Sequence, residues 1–308
     1  MTVAGDRVAG GREAPALAVH AKLVLVAVIW GGTFIAGRVA VAEMPATTAA
    51  FVRYAIASVA LVAAVLAIDG RFAALTSRQW LGVWLLGATG VAAYNLCFMI
   101  GLTTVPAGRA SLIVALNPVA TLAGSALLFR EKLSVRKATG MLVALVGAVI
   151  VIARGDPRAL VAGAGGVGEA FILGAVLSFA AFTLITKRLI GGLSPLSASA
   201  YASLTGTALL AAAVPVAGDV FVPDASLAAW ASLAFLGAVG TAIAFVWYSD
   251  GVRRLGPSRA AVYTNLVPVA AVVLGMLLLG ESLEPSALAG GALVVAGVWT
   301  INARRHGA

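Results

Sequence analysis

The chain has 308 residues, 61% hydrophobic and 11% charged, with a mean hydropathy of +1.04. A soluble domain this apolar lacks the charge to cover its surface, so the composition points to the membrane and leaves no room for a soluble catalytic domain. The net charge of +9 does not argue for nucleic acid, since basic residues collect in the loops on one side of membrane proteins, and a single cysteine, Cys97, excludes an intrachain disulfide.

Residues 1–20 are polar and Gly-rich, lack the features of a secretory leader, and read as a cytoplasmic tail. Ten apolar segments follow, each near the roughly 20 residues that cross a bilayer: Leu23–Val41, Thr47–Ile68, Trp80–Leu102, Ala107–Phe129, Lys137–Ile152, Phe171–Lys187, Leu196–Ala217, Ala228–Ser249, Arg259–Leu279 and Ala287–Asn302. In the first, Trp30 and Phe34 lie one turn apart with Thr33 adjacent. The second holds Arg53, the one charge well inside a segment. An arginine at the bilayer centre costs about 2.5–3.5 kcal/mol, so Arg53 either snorkels to the interface or faces a cavity mouth, where it would attract a carboxylate.

The third segment places Tyr94 and Phe98 on one face, beside Asn95. In the fourth, Pro118 removes the partner of the Val114 carbonyl, and Asn117 stands next to it; in the ninth, Pro268 does the same to Thr264, near Asn265 and Tyr263. Two readings stand for each proline: an internally satisfied kink, or a hinge beside a polar patch that coordinates substrate. The sixth segment offers Phe179 and Thr183. Trp247 and Tyr248, near one end of the eighth, read as an interfacial belt, and Asp250 beside them is the nearest thing to a coupling acid. The two histidines, His20 and His306, lie near opposite ends and give a metal centre or a Ser-His-Asp triad nothing to build on. No metal or cofactor is expected.

An offset of 150 superimposes the two halves without a gap. Pro45 falls on Pro195, Trp80 on Trp230, Gly87 and Gly90 on Gly237 and Gly240, Arg109 on Arg259, Pro118 on Pro268, Glu131 on Glu281, and Gly140 and Gly147 on Gly290 and Gly297. Thr33 and Thr183 are also partners. The division is a first repeat at 21–154, a linker at 155–170, a second repeat at 171–304 and a short tail at 305–308. The linker glycines are not followed by the Lys-Ser/Thr of a phosphate loop.

Five segments is an odd number, so the second repeat must enter the membrane upside down. With the N-terminus placed in the cytoplasm, the inner segments hold Arg7, Arg12, Lys22, Arg71, Arg78, Arg130, Lys132, Arg136, Lys137, Lys187, Arg188, Arg253, Arg254, Arg259, Arg304 and Arg305; the outer ones hold only Arg38, Arg109, Arg154 and Arg158. That bias puts both termini in the cytoplasm. Inverted repeats are a common architecture of alternating access around a midplane site.

The run WGGTFIAGRVA at 30–40, the run LNPVATLAGSALLFREKLSVRKATGMLVALVGAVIV at 116–151 and its partner LVPVAAVVLGMLLLGESLEPSALAGGALVVAGV at 266–298 resemble the drug/metabolite transporter superfamily. The resemblance is to its ten-helix members made of two EamA-type repeats, and among these to YddG-like bacterial amino-acid exporters. It implies an all-α integral membrane fold of ten helices, with a cavity lined by helices 1–4 and 6–9. Helices 5 and 10 would be peripheral and available for a homodimer, in the inner or plasma membrane. Glu131 and Glu281 match its motif, and their place after the last apolar turn suggests structural hydrogen bonds.

The expected activity is therefore export or facilitated flux of small metabolites, with neutral or aromatic amino acids first. Trp30, Thr33, Phe34, Tyr94, Asn95, Phe98, Asn117, Phe179, Thr183, Tyr263 and Asn265 are the candidate substrate contacts. Nucleosides and cationic compounds remain alternative cargoes, and a channel or receptor a further one. An intramembrane enzyme would need paired acids, a Ser-His arrangement or metal ligands within the helices, and the sequence has none there.

Overall fold

The computed structural model describes residues 16–131, 133–156, 166–219 and 222–302. Among these, ten helices are long and apolar enough to cross a membrane: α1 Leu17–Glu43, α2 Ala46–Ile68, α3 Ser77–Thr104, α4 Ala107–Phe129, α5 Val135–Ile152, α6 Val167–Leu189, α7 Pro195–Val216, α8 Leu227–Leu255, α9 Arg259–Leu279 and α10 Pro285–Asn302. Local chemistry sets where they begin. Thr76 and Gln79 form a reciprocal capping box at α3, while Ser134, Ser194 and Ser226 each accept a backbone N–H at the start of α5, α7 and α8.

Two expected boundaries move. Helix α1 starts well before Leu23, so Ala16–Lys22 is helical and not tail. Helix α6 starts at Val167, which moves Glu169 out of the expected linker and into its first turn. In both cases a polar residue that hydropathy counts against a span finds a partner at a helix end: Lys22 pairs with Asp250 at 3.9 Å, and Glu169 with Arg109 at 3.5 Å. Most of the linker, both extreme tails, and the basic residues Arg7, Arg12, Lys132, Arg158, Arg304 and Arg305 lie outside the described residues.

An even number of spans brings the described ends of α1 and α10 to one face, called here the terminal side. The α1–α2, α3–α4, α7–α8 and α9–α10 turns lie on the far side. Both repeats carry the same two departures from a plain helix. Helix α3 widens into π-helical turns at Gly87–Ala93 and α8 at Phe235–Ile243. Helix α4 breaks at Ala115–Leu116 and α9 at Asn265. The prolines therefore act differently from the simple loss of one carbonyl's partner. Pro118 is the second residue of the half-helix Asn117–Phe129, and Pro268 lies in the first turn of Leu266–Leu279, where a backbone N–H has no intrahelical partner to lose.

The π-helical glycines explain themselves by contact. A Cβ on Gly87 would lie 2.2 Å from the Thr205 hydroxyl and 2.6 Å from the Gly206 nitrogen, and one on Gly237 2.6 Å from the Arg53 carbonyl. These glycines let α7 and α2 close against the widened turns. Helices α5 and α10 lie at the periphery and pack on each other through glycine: Gly140 against Gly297, and Gly147 against Gly290. Their glycine faces are thus used inside one chain, so a homodimer through these helices would have to use other faces.

The buried core is uneven. Its largest cluster gathers the far-side halves of α1, α2, α3, α4, α7 and α8, including Phe34, Met44, Tyr54, Phe98, Leu102, Ile113, Leu210 and Leu236. On the terminal side the packing divides into separate seams: α2, α7 and α8 around Leu61, Leu196 and Ala242; α3, α6 and α7 around Val83, Leu86 and Ile190; and α1 with α8 around Val26 and Ala244. The far-side half of α4 packs on that of α9. Their terminal-side halves share no comparable packing among the described residues.

Candidate functional site

Arg53 comes first because its environment is the least expected. Its side chain is 7% exposed, so it does not snorkel to an interface. Its guanidinium donates to the Asn95 Oδ1 at 2.8 Å and lies 5.4 Å from the Tyr54 ring centre and 5.9 Å from that of Phe98. Asn95 is itself oriented, its Nδ2 donating to the Val91 carbonyl at 2.7 Å within the π-helical turns of α3. The widened helix thus supplies the acceptor that fixes Asn95, and Asn95 fixes Arg53. The Nε of Arg53 has no partner, and no carboxylate forms an ion pair with it among the described residues. A buried cation left this way is costly unless something neutralises it.

Aromatic rings surround this network. Tyr94 stacks on Phe98 with centroids 5.9 Å apart, Phe34 meets Phe98 edge-on at 5.2 Å, and Phe179 reaches Tyr94 at 6.0 Å from α6. Phe34 and Phe98 are buried, whereas Tyr94 is half-buried and Phe179 is 37% exposed. The first pair therefore belongs to the floor, and the second to its surface.

The remaining candidates divide among other places. Trp30 donates through Nε1 to the Gly240 carbonyl at 3.1 Å, within the π-helical turns of α8, and its ring lies 5.2 Å from Tyr248. Tyr248 is thus turned against Trp30. Thr33 and Thr183 donate to carbonyls of their own helices, Trp30 and Phe179 respectively. Tyr263 shares a hydrogen bond with His20 near the terminal side, a pairing that the sequence positions of the two histidines did not suggest. Asn117 is half-buried with an unpartnered Oδ1, and Asn265 sits at the break in α9. Arg53, Tyr94, Asn95, Phe98, Phe34 and Phe179 form one network; Trp30 with Thr33, and Tyr263 with Asn265, lie outside it.

The far side is closed by charge as well as packing. Glu281 accepts the backbone N–H groups of Ala107 and Gly108 at 2.8 and 3.1 Å, capping α4 from the end of α9. Arg109, 6% exposed, reaches Glu169 at 3.5 Å and Glu284 at 3.4 Å and so ties α4 to α6 and to the α9–α10 turn. The sequence reading placed Arg109 in an outer segment without a role. The signal was its conjunction with the glutamates, since its repeat partner Arg259 corresponds to no such acids: the positions matching Glu169 and Glu284 are Val19 and Ser134.

The terminal side differs. Glu131 is exposed and pairs with Lys187 at 2.5 Å; the hydrogen bond from Lys187, and then its charge, hold the Glu131 carboxyl below its ordinary value of 4.5. Asp250 is absorbed by Arg253, Arg254 and Lys22. A groove of about 400 Å³ between α1, α8 and α9 is lined by Val28, Gly32, Ile35, Phe235 and Leu274, among others, with Ser232 its one polar side chain. Its chemistry suits lipid and not a polar cargo.

A model of the EamA-like transporter family matches residues 19–153 and 166–303. A "Probable terminal-alkyne amino-acid exporter" of Streptantibioticus cattleyicolor is 34% identical over 285 residues, 92% of this chain and 93% of that protein. YyaM, an uncharacterized transporter of Bacillus subtilis, is 21% identical over 92% and 93% of the two chains. YedA, an uncharacterized inner membrane transporter of Escherichia coli K12, is 29% identical over 83% and 81%. One crystal structure, 19% identical, matches with a TM-score of 0.63 over 92% of this chain and 98% of its own, which speaks to the fold.

Proposed function

The chain belongs to the EamA-like transporter family, a multi-pass membrane transporter and not an enzyme, and on that premise we propose that it exports small neutral or aromatic amino acids by alternating access. The observation that carries the amino-acid reading is Arg53: a buried guanidinium, oriented by Asn95, without a carboxylate of the protein's own. An amino acid brings that carboxylate with it. Its side chain then meets Tyr94 and Phe179, the less buried rings of the same network. A cationic cargo would meet an uncompensated like charge instead. The relative from Streptantibioticus supports the same class.

The basic bias supports a cytoplasmic terminal side. The ties made by Glu281 and Arg109 then lie at the outer ends of the helices, and the substrate reaches the Arg53 network from the inside. Glu169 is tied to Arg109 and Asp250 to three cations, so neither is free for ion coupling. Flux follows the substrate gradient.

Proteoliposome flux tests this. Tyrosine and phenylalanine should move with saturable kinetics, whereas tyramine, which has the ring and amine without the carboxylate, should not. Equal flux of tyrosine and tyramine would remove the role of Arg53, and no flux of any amino acid would remove the substrate class.

A further inference from the structure

The two motif glutamates are sequence equivalents in different situations. Glu281 follows α9 across a left-handed turn at Gly280 (φ 65), and its carboxylate caps the N-terminus of α4. Glu131 follows α4 across the same left-handed turn, made here by Arg130 (φ 52), so the backbone presents both carboxylates alike. A non-glycine residue in this conformation costs about as much as a modest hydrogen bond, and the turn is kept despite it. The equivalent target of Glu131 is the N-terminus of α9. That end begins after Gly256 with no side-chain cap, and Pro257 has no N–H, leaving the amides of Ser258 and Arg259 in the first turn. Glu131 instead holds Lys187, whose own repeat equivalent, Gly37, offers no charge.

We infer that Glu131 is the inner gate residue: its carboxylate leaves Lys187 and caps the Ser258 and Arg259 amides when the inner side closes, as Glu281 releases the Ala107 and Gly108 amides when the outer side opens. The geometry gives each step its reason. On the closed side Glu281 bridges α9 to α4, and the helix halves it joins are packed together. On the other side the corresponding halves share no comparable packing among the described residues, and Glu131 holds Lys187 in place of the bridge. A gate carboxylate with two alternative partners makes the two states close in free energy, which reversible access requires. Lys187 is then the holder of the open state: its Nζ lies 4.6 Å from the Phe129 ring centre at the end of α4, beside Glu131. The far side has no such holder, so the gates are equivalent in closing and unequal in opening.

The inference rests on the transporter reading, and its test needs no substrate. Spin labels at Leu128→Cys and Val262→Cys, in a Cys97→Ser background reconstituted in lipid, report the distance between the inner ends of α4 and α9. Wild type should show the long distance of this structure and a shorter one from the closed gate. Glu131→Gln should lose the short population; Lys187→Met should enlarge it. The same distribution in all three proteins would overturn the proposal, as would a larger short population in Glu131→Gln. Lys187→Met retains the gate carboxylate, so it still decides the matter should Glu131→Gln fold poorly. Distances that respond as stated while no amino acid is transported would leave the gate standing and refute the substrate.

Discussion

Arg53 concentrates the tension between folding and function in one side chain. Burying a guanidinium without an ion partner opposes folding, while the vacancy beside it serves a carboxylate. Arg53→Gln should therefore raise KM for tyrosine by roughly 10- to 150-fold, the equivalent of about 1.5–3 kcal/mol for a hydrogen bond to a charged group. Thermal stability without ligand should be equal to wild type or higher. Arg53→Lys should fall between, since an ammonium lacks the planar fork that meets a carboxylate with two bonds. A lower thermal midpoint in Arg53→Gln, with KM unchanged, would make the residue structural. The sequence marked Arg53 as unusual but left open whether it snorkels, because hydropathy gives depth and not direction. Asn95 and Phe98 could be placed on one face by spacing alone; their attachment to Arg53 depends on how α2 meets α3. Thr33 and Thr183 show the opposite limit, since a hydroxyl in a helix readily satisfies itself on the preceding turn.

At the scale of elements, the spans were legible because bilayer thickness imposes a length and an apolar content on each. What hydropathy does not encode is the path inside a span. The breaks at Ala115–Leu116 and Asn265 were signalled by Pro118 and Pro268, yet the prolines start a new half-helix instead of kinking an old one. The π-helical turns of α3 and α8 carried only the repeated glycines as a sign, and glycine in a membrane helix has many uses. One use is the α5–α10 contact, where a Cβ on Gly147 would lie 2.5 Å from the Gly290 carbonyl oxygen. Gly147→Leu should cost about 1–3 kcal/mol of stability, read as a lower thermal midpoint and yield. KM should stay constant per folded molecule, because the site lies elsewhere; a changed KM would tie these helices to the chamber. The Glu131–Lys187 link between α4 and α6 gives a pH effect. Because the pair lowers the Glu131 carboxyl below 4.5, its contribution is complete above that value and is lost as pH falls through the folded-state value. Wild type should lose more thermal stability than Lys187→Met between pH 6 and pH 3, by a small margin that vanishes in about 1 M salt. A margin that persists in salt would contradict an exposed pair.

For the whole molecule, opposite orientation of the repeats was read from the odd number of spans in each and from the bias of basic residues to one side. Cysteines at Ser134 and Ser282, both exposed, should react with a membrane-impermeant maleimide from opposite faces, Ser134→Cys only from the cytoplasm; labelling of both from one face would contradict the inverted arrangement. The contacts that join the far-side halves of α4 and α9 were not legible, because they depend on how the two repeats meet. The α5–α10 contact has one more implication. Gly140 meets Gly297 and Gly147 meets Gly290, so the last helix of each repeat offers the same surface to the other, as two copies of a self-complementary half-length protein would. Such a surface does not need a covalent connection between its two sides. Cutting the chain between residues 157 and 165 and co-expressing the fragments should yield a complex that purifies through a tag on either piece, and introducing Gly147→Leu into the first fragment should weaken that recovery.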